Sequence, residues 1–115
     1  MTYVEGFVCA VPTANNEAYR AHAAEAASVL REHGLRRMVE AWGDDVPDGN
    51  VTDFRRAVLA KDEETVVFAW VEWPSKAVRD AGWKHFREDQ PMDPSAMPFD
   101  GKRMIYGGFV PILDQ

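Results

Sequence analysis

The sequence predicts an α+β fold, in which β-strands and two amphipathic helices alternate along one short chain. Three observations predict it. The chain has 115 residues, which suits a single domain spanning 1–115. Residues 65–73, TVVFAWVEW, are dominated by β-branched and aromatic side chains, which favour a strand. Between residues 16 and 33, apolar positions instead recur every three or four residues, as they do on one side of a helix.

The N-terminal part of the chain predicts a strand followed by a helix. Residues 3–11, YVEGFVCAV, form the first predicted strand, which Pro12 ends. Candidate N-caps for the helix that follows are Thr13, Asn15 and Asn16. Its apolar stripe consists of Tyr19, His22, Ala23, Ala26, Leu30 and His33. Gly34 then suits the C-terminal position that requires a positive φ.

The middle of the chain is harder to divide into elements. A second strand is predicted at 35–43, and the turn sequence Pro47-Asp48-Gly49 follows it. Residues 53–60, DFRRAVLA, are predicted as a further short strand. Because the 45–51 loop interrupts the pattern, the 35–60 region is either one bent strand or two.

The C-terminal part predicts a helix, an irregular segment and a last strand. Pro74 ends the 65–73 strand, and Ser75 is expected to cap a helix over residues 76–89. The packing stripe of that helix consists of Val78, Gly82, His85 and Phe86. Segment 90–101 has three prolines and the apolar residues Met92, Met97 and Phe99, so we expect an irregular loop lying across the protein. With a final strand at 102–112, the order β-α-β-(β)-β-α-β is that of the split βαβ, ferredoxin-like fold with an antiparallel sheet.

Side-chain alternation divides each strand into two faces. We expect the small residues of the first strand and of 65–73 to face the helices, because small side chains permit close packing. The aromatic residues are then left on the open face of the sheet, which would be too apolar for a soluble monomer. The sequence therefore predicts a homodimer that packs sheet against sheet. The predicted dimer-face residues are Tyr3, Phe7, Phe68, Trp70 and Gly107.

Two glycines, Gly107 and Gly108, interrupt the final strand and point to opposite faces. On this interpretation Gly108 leaves room for a helix, and Gly107 leaves room for an aromatic ring or a bulge on the open face. The alternative is a local twist of the strand without functional meaning.

Composition excludes several classes of function. The net charge of −6 argues against a nucleic-acid partner, which requires clustered Lys and Arg. The single cysteine, Cys9, cannot form an intrachain disulfide. Neither a signal-peptide pattern nor an apolar run of membrane-spanning length is present, so we expect a cytoplasmic protein without a membrane partner.

Residues suited to metal binding or catalysis are sparse. The chain has three histidines, which lie far apart in the sequence: His22, His33 and His85. We therefore expect no metal and no cofactor. Glu5 and Glu72 are expected on one face but near opposite ends of parallel neighbouring strands, which argues against a catalytic carboxylate pair. We expect Glu72 to form a structural ion pair with Arg103 instead.

Four blocks of the sequence resemble the YbaA-like family of small bacterial proteins of unknown function: YVEGFVCAVP, VPDGNVTDFR, VVFAWVEWPSKAVRDA and MPFDGKRMIYGGF. The resemblance covers nearly the whole chain. It implies membership of the dimeric α+β barrel group, in which two ferredoxin-like protomers pack sheet to sheet. It implies no catalytic residues, because none is established for the family.

The wider barrel group implies a small-molecule site in a cleft between sheet and helices, and some of its members are cofactor-free oxygenases, isomerases or haem-degrading enzymes. Candidate lining residues are His22, Trp42, Trp73, His85 and Tyr106, with segment 90–101 as a lid. The alternative is that the tryptophans are core residues and the histidines bond to the backbone. Three functions stay open: binding of a small molecule, cofactor-independent oxygenase or isomerase activity, and a non-catalytic protein-interaction dimer.

Overall fold

The computed structural model describes residues 2–89 and 96–115, which form four strands, three helices and short 3₁₀ turns. The strands are β1 (Tyr3–Pro12), β2 (Arg37–Trp42), β3 (Glu64–Trp73) and β4 (Ile105–Phe109). The helices are α1 (Asn16–Arg31), α2 (Phe54–Ala57) and α3 (Lys76–Asp89). In these two ranges, no helix has both the length and the apolar character needed to cross a membrane.

Two predicted signals for helix ends are confirmed, whereas the N-cap residue of α1, Asn15, makes no side-chain capping hydrogen bond. The hydroxyl of Ser75 accepts a 3.2 Å hydrogen bond from the backbone N–H of Val78 in the first turn of α3. Gly34, three residues after α1, has a φ of 103°, a conformation that a residue with a Cβ adopts only under strain.

The four strands form one antiparallel sheet in the order β2-β3-β1-β4. β1 and β3 pair along their whole length, from Tyr3 opposite Trp73 to Pro12 opposite Glu64. The predicted α+β, ferredoxin-like fold is confirmed. The expectation that these two strands are parallel was wrong. β1 and β2 run in the same direction, and β3 lies between them in the opposite direction.

Helices α1 and α3 cover one face of this sheet, and the main core lies between them and the strands. Its buried residues are Leu30, Leu35, Val71, Trp73 and Phe86. Directly opposite residues of an antiparallel pair point to the same side. Tyr3, opposite Trp73, and Phe7, opposite Ala69, therefore lie on the helix-covered face and pack against this core. Their predicted place on the open face was wrong.

The 53–60 segment forms a helical turn, α2, and not the predicted strand. The Asp53 side chain accepts hydrogen bonds from the backbone N–H of Arg56 (2.7 Å) and of Gly49 (3.1 Å), which satisfies the first turn and closes the preceding loop. The 35–60 region thus contains one strand, β2, followed by a loop and α2. The chain after α2 returns to cover one end of the open face, where Val58 packs against Ala10 and Val66.

The paired glycines take part in a regular strand pair without a bulge. Gly6 lies opposite Gly107, and Glu5 lies opposite Gly108. A Cβ at Gly108 would overlap the hydroxyl of Tyr3 and lie 2.8 Å from its ring. Gly108 thus makes room for an aromatic ring beneath the helices and not for a helix itself. On the open face, a Cβ at Gly107 would make only an ordinary 3.6 Å contact with the ring of Phe109.

Candidate functional site

A cleft with two adjoining lobes lies between the helices and the sheet. The outer lobe has a volume of about 450 Å³ and the inner lobe about 180 Å³. The two lobes share four lining residues: Phe7, Trp83, Phe86 and Met104. The shared walls are therefore apolar, and each lobe has one hydrogen-bonded polar cluster, with Arg87 as a further polar residue of the outer lobe and His22 of the inner lobe.

The polar cluster of the outer lobe is centred on Glu5, which is only 4% exposed. One of its carboxylate oxygens, Oε1, accepts hydrogen bonds from the indole N–H groups of Trp73 (2.8 Å) and Trp83 (2.6 Å). The other oxygen, Oε2, lies 3.4 Å from the guanidinium of Arg79. A buried carboxylate is tolerated only when it is paired and hydrogen-bonded in this way.

Arg79 is held in place by Tyr3. Its guanidinium donates a 3.0 Å hydrogen bond to the Tyr3 hydroxyl and lies 5.0 Å from the centre of the Tyr3 ring. Its Nε is 3.0 Å from a carboxylate oxygen of Asp80 but makes no hydrogen bond with suitable geometry. The charges of Glu5 and Arg79 offset each other, so this cluster fixes β1, β3 and α3 together and leaves the outer lobe with little net charge at its base.

The polar cluster of the inner lobe consists of Tyr19 and Glu40. The Tyr19 hydroxyl donates a 2.7 Å hydrogen bond to Oε1 of Glu40, and the thiol of Cys9 lies 3.7 Å from the same hydroxyl. Glu40 is on the edge strand β2 and keeps much of its surface exposed, but loss of water around its carboxylate raises its pKa. Burial is also the main cause that raises the pKa of Tyr19, and it raises the pKa of the Cys9 thiol to about 11. Tyr19 and Cys9 are therefore both protonated hydrogen-bond donors at neutral pH.

The segment before β4 covers the inner lobe. The ring of Phe99 packs edge-on against Tyr19, with 5.4 Å between ring centres, and lies 6.3 Å from the ring of His22. The side-chain amide of Asn15 donates a 2.9 Å hydrogen bond to the carbonyl of Pro98, which attaches the segment to the start of α1. Residues 96–101 of the predicted lid thus lie over the cleft. Residues 90–95, including Met92, lie outside the described part of the chain.

Only two of the five predicted pocket residues line the cleft. His22 lines the inner lobe and Tyr106 lines the outer lobe. Trp73 is fully buried and serves as a donor to Glu5, and Trp42 packs beside the buried cluster around Cys9. His85 is exposed on α3 and stacks on His33 with 4.7 Å between ring centres.

Sequence reasoning did not assign several polar residues to the cleft that line it: Glu5, Tyr19, Glu40, Arg79, Asp80, Trp83 and Arg87. A signal was present for two of them. Tyr19 precedes His22 by three residues on the predicted helix stripe. Glu40 is the acidic residue that alternates with Met38 and Trp42 on the helix-facing side of β2. An acidic residue at an inward-facing position of a strand indicates a hydrogen-bonded or functional role.

The predicted ion pair between Glu72 and Arg103 does not form. Glu72 lies 3.8 Å from Arg37 and accepts a 3.0 Å hydrogen bond from the indole of Trp70. Arg103 instead pairs with Glu64 at 2.7 Å, because the antiparallel direction of β3 brings its first residue, and not its last, near residue 103. The same register places Glu72 opposite Val4, so Glu5 and Glu72 lie on different faces of the sheet.

The open face of the sheet carries a second apolar depression of about 520 Å³. The exposed residues that line it include Phe68 (44%), Ile105 (46%) and Phe109 (60%), and Trp70 and Gly107 also line it. The ring of Phe54 in α2 packs edge-on against Phe68 with 6.1 Å between centres, which extends the apolar surface beyond the sheet. Of the predicted dimer-face residues, Phe68, Trp70 and Gly107 are on this face.

Residues 2–101 match the family described as "Protein of unknown function (DUF1428)". The chain belongs to the DUF1428 family. It is also 56% identical over 117 aligned residues to the uncharacterized protein YbaA of Escherichia coli K12, with 100% of both chains covered. The resemblance to the YbaA-like family is therefore confirmed, and DUF1428 membership by itself assigns no reaction.

Solved structures similar to this DUF1428 chain share its fold at low sequence identity. A dimeric ferredoxin-like protein from an uncultured marine organism superimposes with a TM-score of 0.67 at 11% identity, covering 99% of this chain and 98% of the other. Rv0793 from Mycobacterium tuberculosis superimposes with a TM-score of 0.54 at 14% identity, covering 100% and 98% of the two chains. At such identities the similarity establishes the ferredoxin-like fold and nothing finer.

Proposed function

We propose that this DUF1428 protein is a homodimer in which each protomer binds a small, largely apolar organic molecule in the two-lobed cleft. The observation that carries the proposal is the cleft itself: apolar and aromatic walls run from Tyr106 to Phe99, with a small number of polar residues in each lobe. Binding sites for small molecules have this composition, because apolar walls supply affinity and a few polar groups supply orientation.

Volume supports the same interpretation. The outer lobe, at about 450 Å³, falls in the range of roughly 300–1,000 Å³ typical of ligand pockets. The inner lobe, at about 180 Å³, is large enough for a single aromatic ring, since an apolar cavity of about 150 Å³ binds benzene. Phe7 and Trp83 line both lobes and pack edge-to-face on each other, so a ligand that occupied both lobes would contact this ring pair.

The ligand-binding proposal is tested by filling the inner lobe. Ala26 lines the lobe, whereas Ala24, on the same helix, is exposed. A library of small aromatic compounds is screened by ligand-observed NMR against wild type, Ala26→Leu and Ala24→Leu. We expect ligands that bind wild type and Ala24→Leu but lose affinity for Ala26→Leu. A library in which no compound binds, or in which binding is the same for both variants, would overturn the proposal.

The homodimer is supported by the open face and by the similar solved structures. Two of the solved neighbours are described as dimeric ferredoxin-like proteins. On this chain the open face exposes Phe68, Ile105 and Phe109 together, which is the kind of contiguous apolar surface that a soluble protein covers with a partner. A second copy is the occupant we propose, because its own open face presents the same apolar side chains in a two-fold arrangement.

Sedimentation velocity at micromolar concentration tests the dimer. We expect wild type and the surface control Ala24→Asp to sediment as dimers, and Phe68→Asp to sediment as a monomer because it places a charge in the interface. A monomeric wild type, or a Phe68→Asp variant that remains dimeric, would show that this face is not the dimer interface.

A cofactor-independent enzyme is the second candidate. The specific observation in its favour is the hydrogen bond between Tyr19 and Glu40, which places a carboxylate with a raised pKa beside the inner lobe. Such a group is suited to moving a proton within a bound substrate, as in an isomerisation. Incubating each compound that binds with the protein, and analysing it by NMR for turnover that Glu40→Gln abolishes, distinguishes catalysis from simple binding.

A further inference from the structure

The inner lobe contains a carboxyl group, that of Glu40, for which the described part of the lobe supplies no Lys or Arg partner. Glu40 is the only Asp, Glu, Lys or Arg among its described lining residues. Loss of water raises the pKa of this carboxyl group, and the hydrogen bond from Tyr19 lowers it. The outer lobe differs in this respect, because its carboxylate, that of Glu5, lies 3.4 Å from the guanidinium of Arg79.

The walls around this carboxylate are aromatic and sulfur-containing. Tyr19 and Phe99 pack edge-to-face at one end, and Phe7 and Trp83 line the other. The remaining apolar lining includes three methionines: Met38, Met97 and Met104. Aromatic faces carry a partial negative charge that attracts cations, and the attraction is stronger where water is excluded.

We propose that the inner lobe binds the protonated amine of a small organic cation, with the ammonium group on Glu40 and the apolar body against the surrounding rings. This inference rests on the proposed function, since it names the ligand class for the same cleft. The volume of about 180 Å³ limits the buried part of the ligand to one ring or a short branched chain next to the amine.

Other charge types fit the lobe less well. An anion would meet the carboxylate of Glu40 without a described cation in the lining to offset it. A hard metal ion needs about six oxygen ligands, and one carboxylate beside a tyrosine does not supply them. The net charge of −6 for the chain also favours the approach of cations.

The proposal predicts how amine binding depends on pH. Among the described residues, the titratable groups that face Glu40 are Tyr19 and His22 of α1 and Cys9 of β1, and residues 96–101 of the covering segment contribute the apolar side chains of Met97 and Phe99. Tyr19 and Cys9 stay protonated through neutral pH because their pKa values are raised. The preference for an amine therefore falls as the pH is lowered through the raised pKa of Glu40.

Three probes with the same ring test the charge preference: benzylamine, benzyl alcohol and benzoate. Affinities are measured at pH 7.5 by titration followed by NMR. We expect benzylamine to bind about tenfold tighter than benzyl alcohol, and benzoate to bind weakest, as follows from one cation–π contact combined with an ionic hydrogen bond. Glu40→Gln should remove the preference for the amine, whereas Glu25→Gln, which removes an exposed carboxylate from α1, should leave it unchanged.

The possible outcomes separate the two proposals. If benzyl alcohol binds as tightly as benzylamine, the amine inference is wrong, but the proposal that the cleft binds small molecules is supported. If none of the three probes binds and the wider aromatic library also gives no ligand, the amine inference and the ligand-binding proposal are both wrong. If the amine preference survives in Glu40→Gln, Glu40 is not the recognition group. If Glu40→Gln fails to fold, the affinities of wild type for benzylamine and for benzyl alcohol are measured across pH instead. The amine inference predicts that the preference for benzylamine falls in acid, and a preference that does not fall overturns it.

Discussion

The indole N–H of Trp73 donates a 2.8 Å hydrogen bond to the carboxylate of Glu5, although 68 positions separate the two residues in the sequence. Trp73 is fully buried and Glu5 is 4% exposed. The strand register sets this contact, because Trp73 lies opposite Tyr3 and its ring extends along the helix-covered face of β1. Trp83 of α3 donates to the same oxygen, so one carboxylate connects two strands and a helix.

Replacing Glu5 should destabilise the protein strongly. Glu5→Ala leaves two indole N–H donors without their acceptor and removes the buried carboxylate that pairs with Arg79, and removing one partner of a buried ion pair typically costs about 3–5 kcal/mol. Chemical denaturation measures the change in free energy of unfolding. The control Glu25→Ala, on the exposed side of α1, should change it by no more than about 0.5 kcal/mol. Equal effects for the two variants would show that the Glu5 cluster does not stabilise the fold.

The paired glycines should respond differently to the same substitution. Gly108→Ala places a Cβ against the hydroxyl and ring of Tyr3 and should cost about 1–3 kcal/mol, a typical penalty for overpacking. Gly107→Ala should cost less, because its Cβ would contact Phe109 at an ordinary 3.6 Å. A double-mutant cycle provides the control: in a Tyr3→Ala background the cost of Gly108→Ala should largely disappear. An unchanged cost in that background would mean that Tyr3 is not the reason for the glycine.

The ion pair between Glu64 and Arg103 should make the free energy of unfolding depend on pH in the acid range. Two hydrogen bonds from Arg103, at 2.8 and 2.7 Å, lower the pKa of Glu64 from 4.5 to about 2. A carboxyl group whose pKa is lowered by folding stabilises the protein above its unfolded pKa and loses that effect as the pH falls towards the folded value. Glu64→Gln should therefore cost about 1.5–3 kcal/mol at pH 7.

Denaturation curves of wild type and Glu64→Gln across pH test the linkage. The difference between them should shrink as the pH falls from 4.5 towards 2. Glu25→Gln should follow wild type throughout. A difference that stays constant over that pH range would indicate that the pKa of Glu64 is not lowered in the folded state.

Cys9 should be unreactive in the folded protein. Its side chain is 1% exposed, and burial raises the pKa of its thiol from 9.0 to about 11, so very little thiolate is present at pH 8. Labelling with iodoacetamide, followed by mass spectrometry, should therefore be slow in buffer and should accelerate with the unfolding transition in denaturant. Rapid labelling of the native protein would show that the region between β1 and α1 opens more readily than its packing indicates.

Local chemistry made several elements predictable from the sequence. The start of the 76–89 helix was predicted at its observed position, because Pro74 and Ser75 define it through backbone restriction and side-chain capping. The 53–60 segment was misassigned, because its apolar pattern is short and the cap that Asp53 provides is a local feature that outweighs it. The candidate site was recovered in part: His22 and Tyr106 line the cleft, but its polar centres, Glu5 and Glu40, were not identified as such.

The sequence by itself determined the types and order of the main elements, the ferredoxin-like fold class and the resemblance to its family. Only the tertiary structure decided which face of β1 the helices cover. Alternation separates two sets of side chains but does not say which is inside, since the fit of a large residue depends on what lies across from it. Gly108 makes room for Tyr3, and Gly82 of α3 does the same for Trp73, whose ring would lie only 2.7 Å from an added Cβ. Such complementarity belongs to pairs of residues on different elements, and it is set only when strand register and helix packing bring them together.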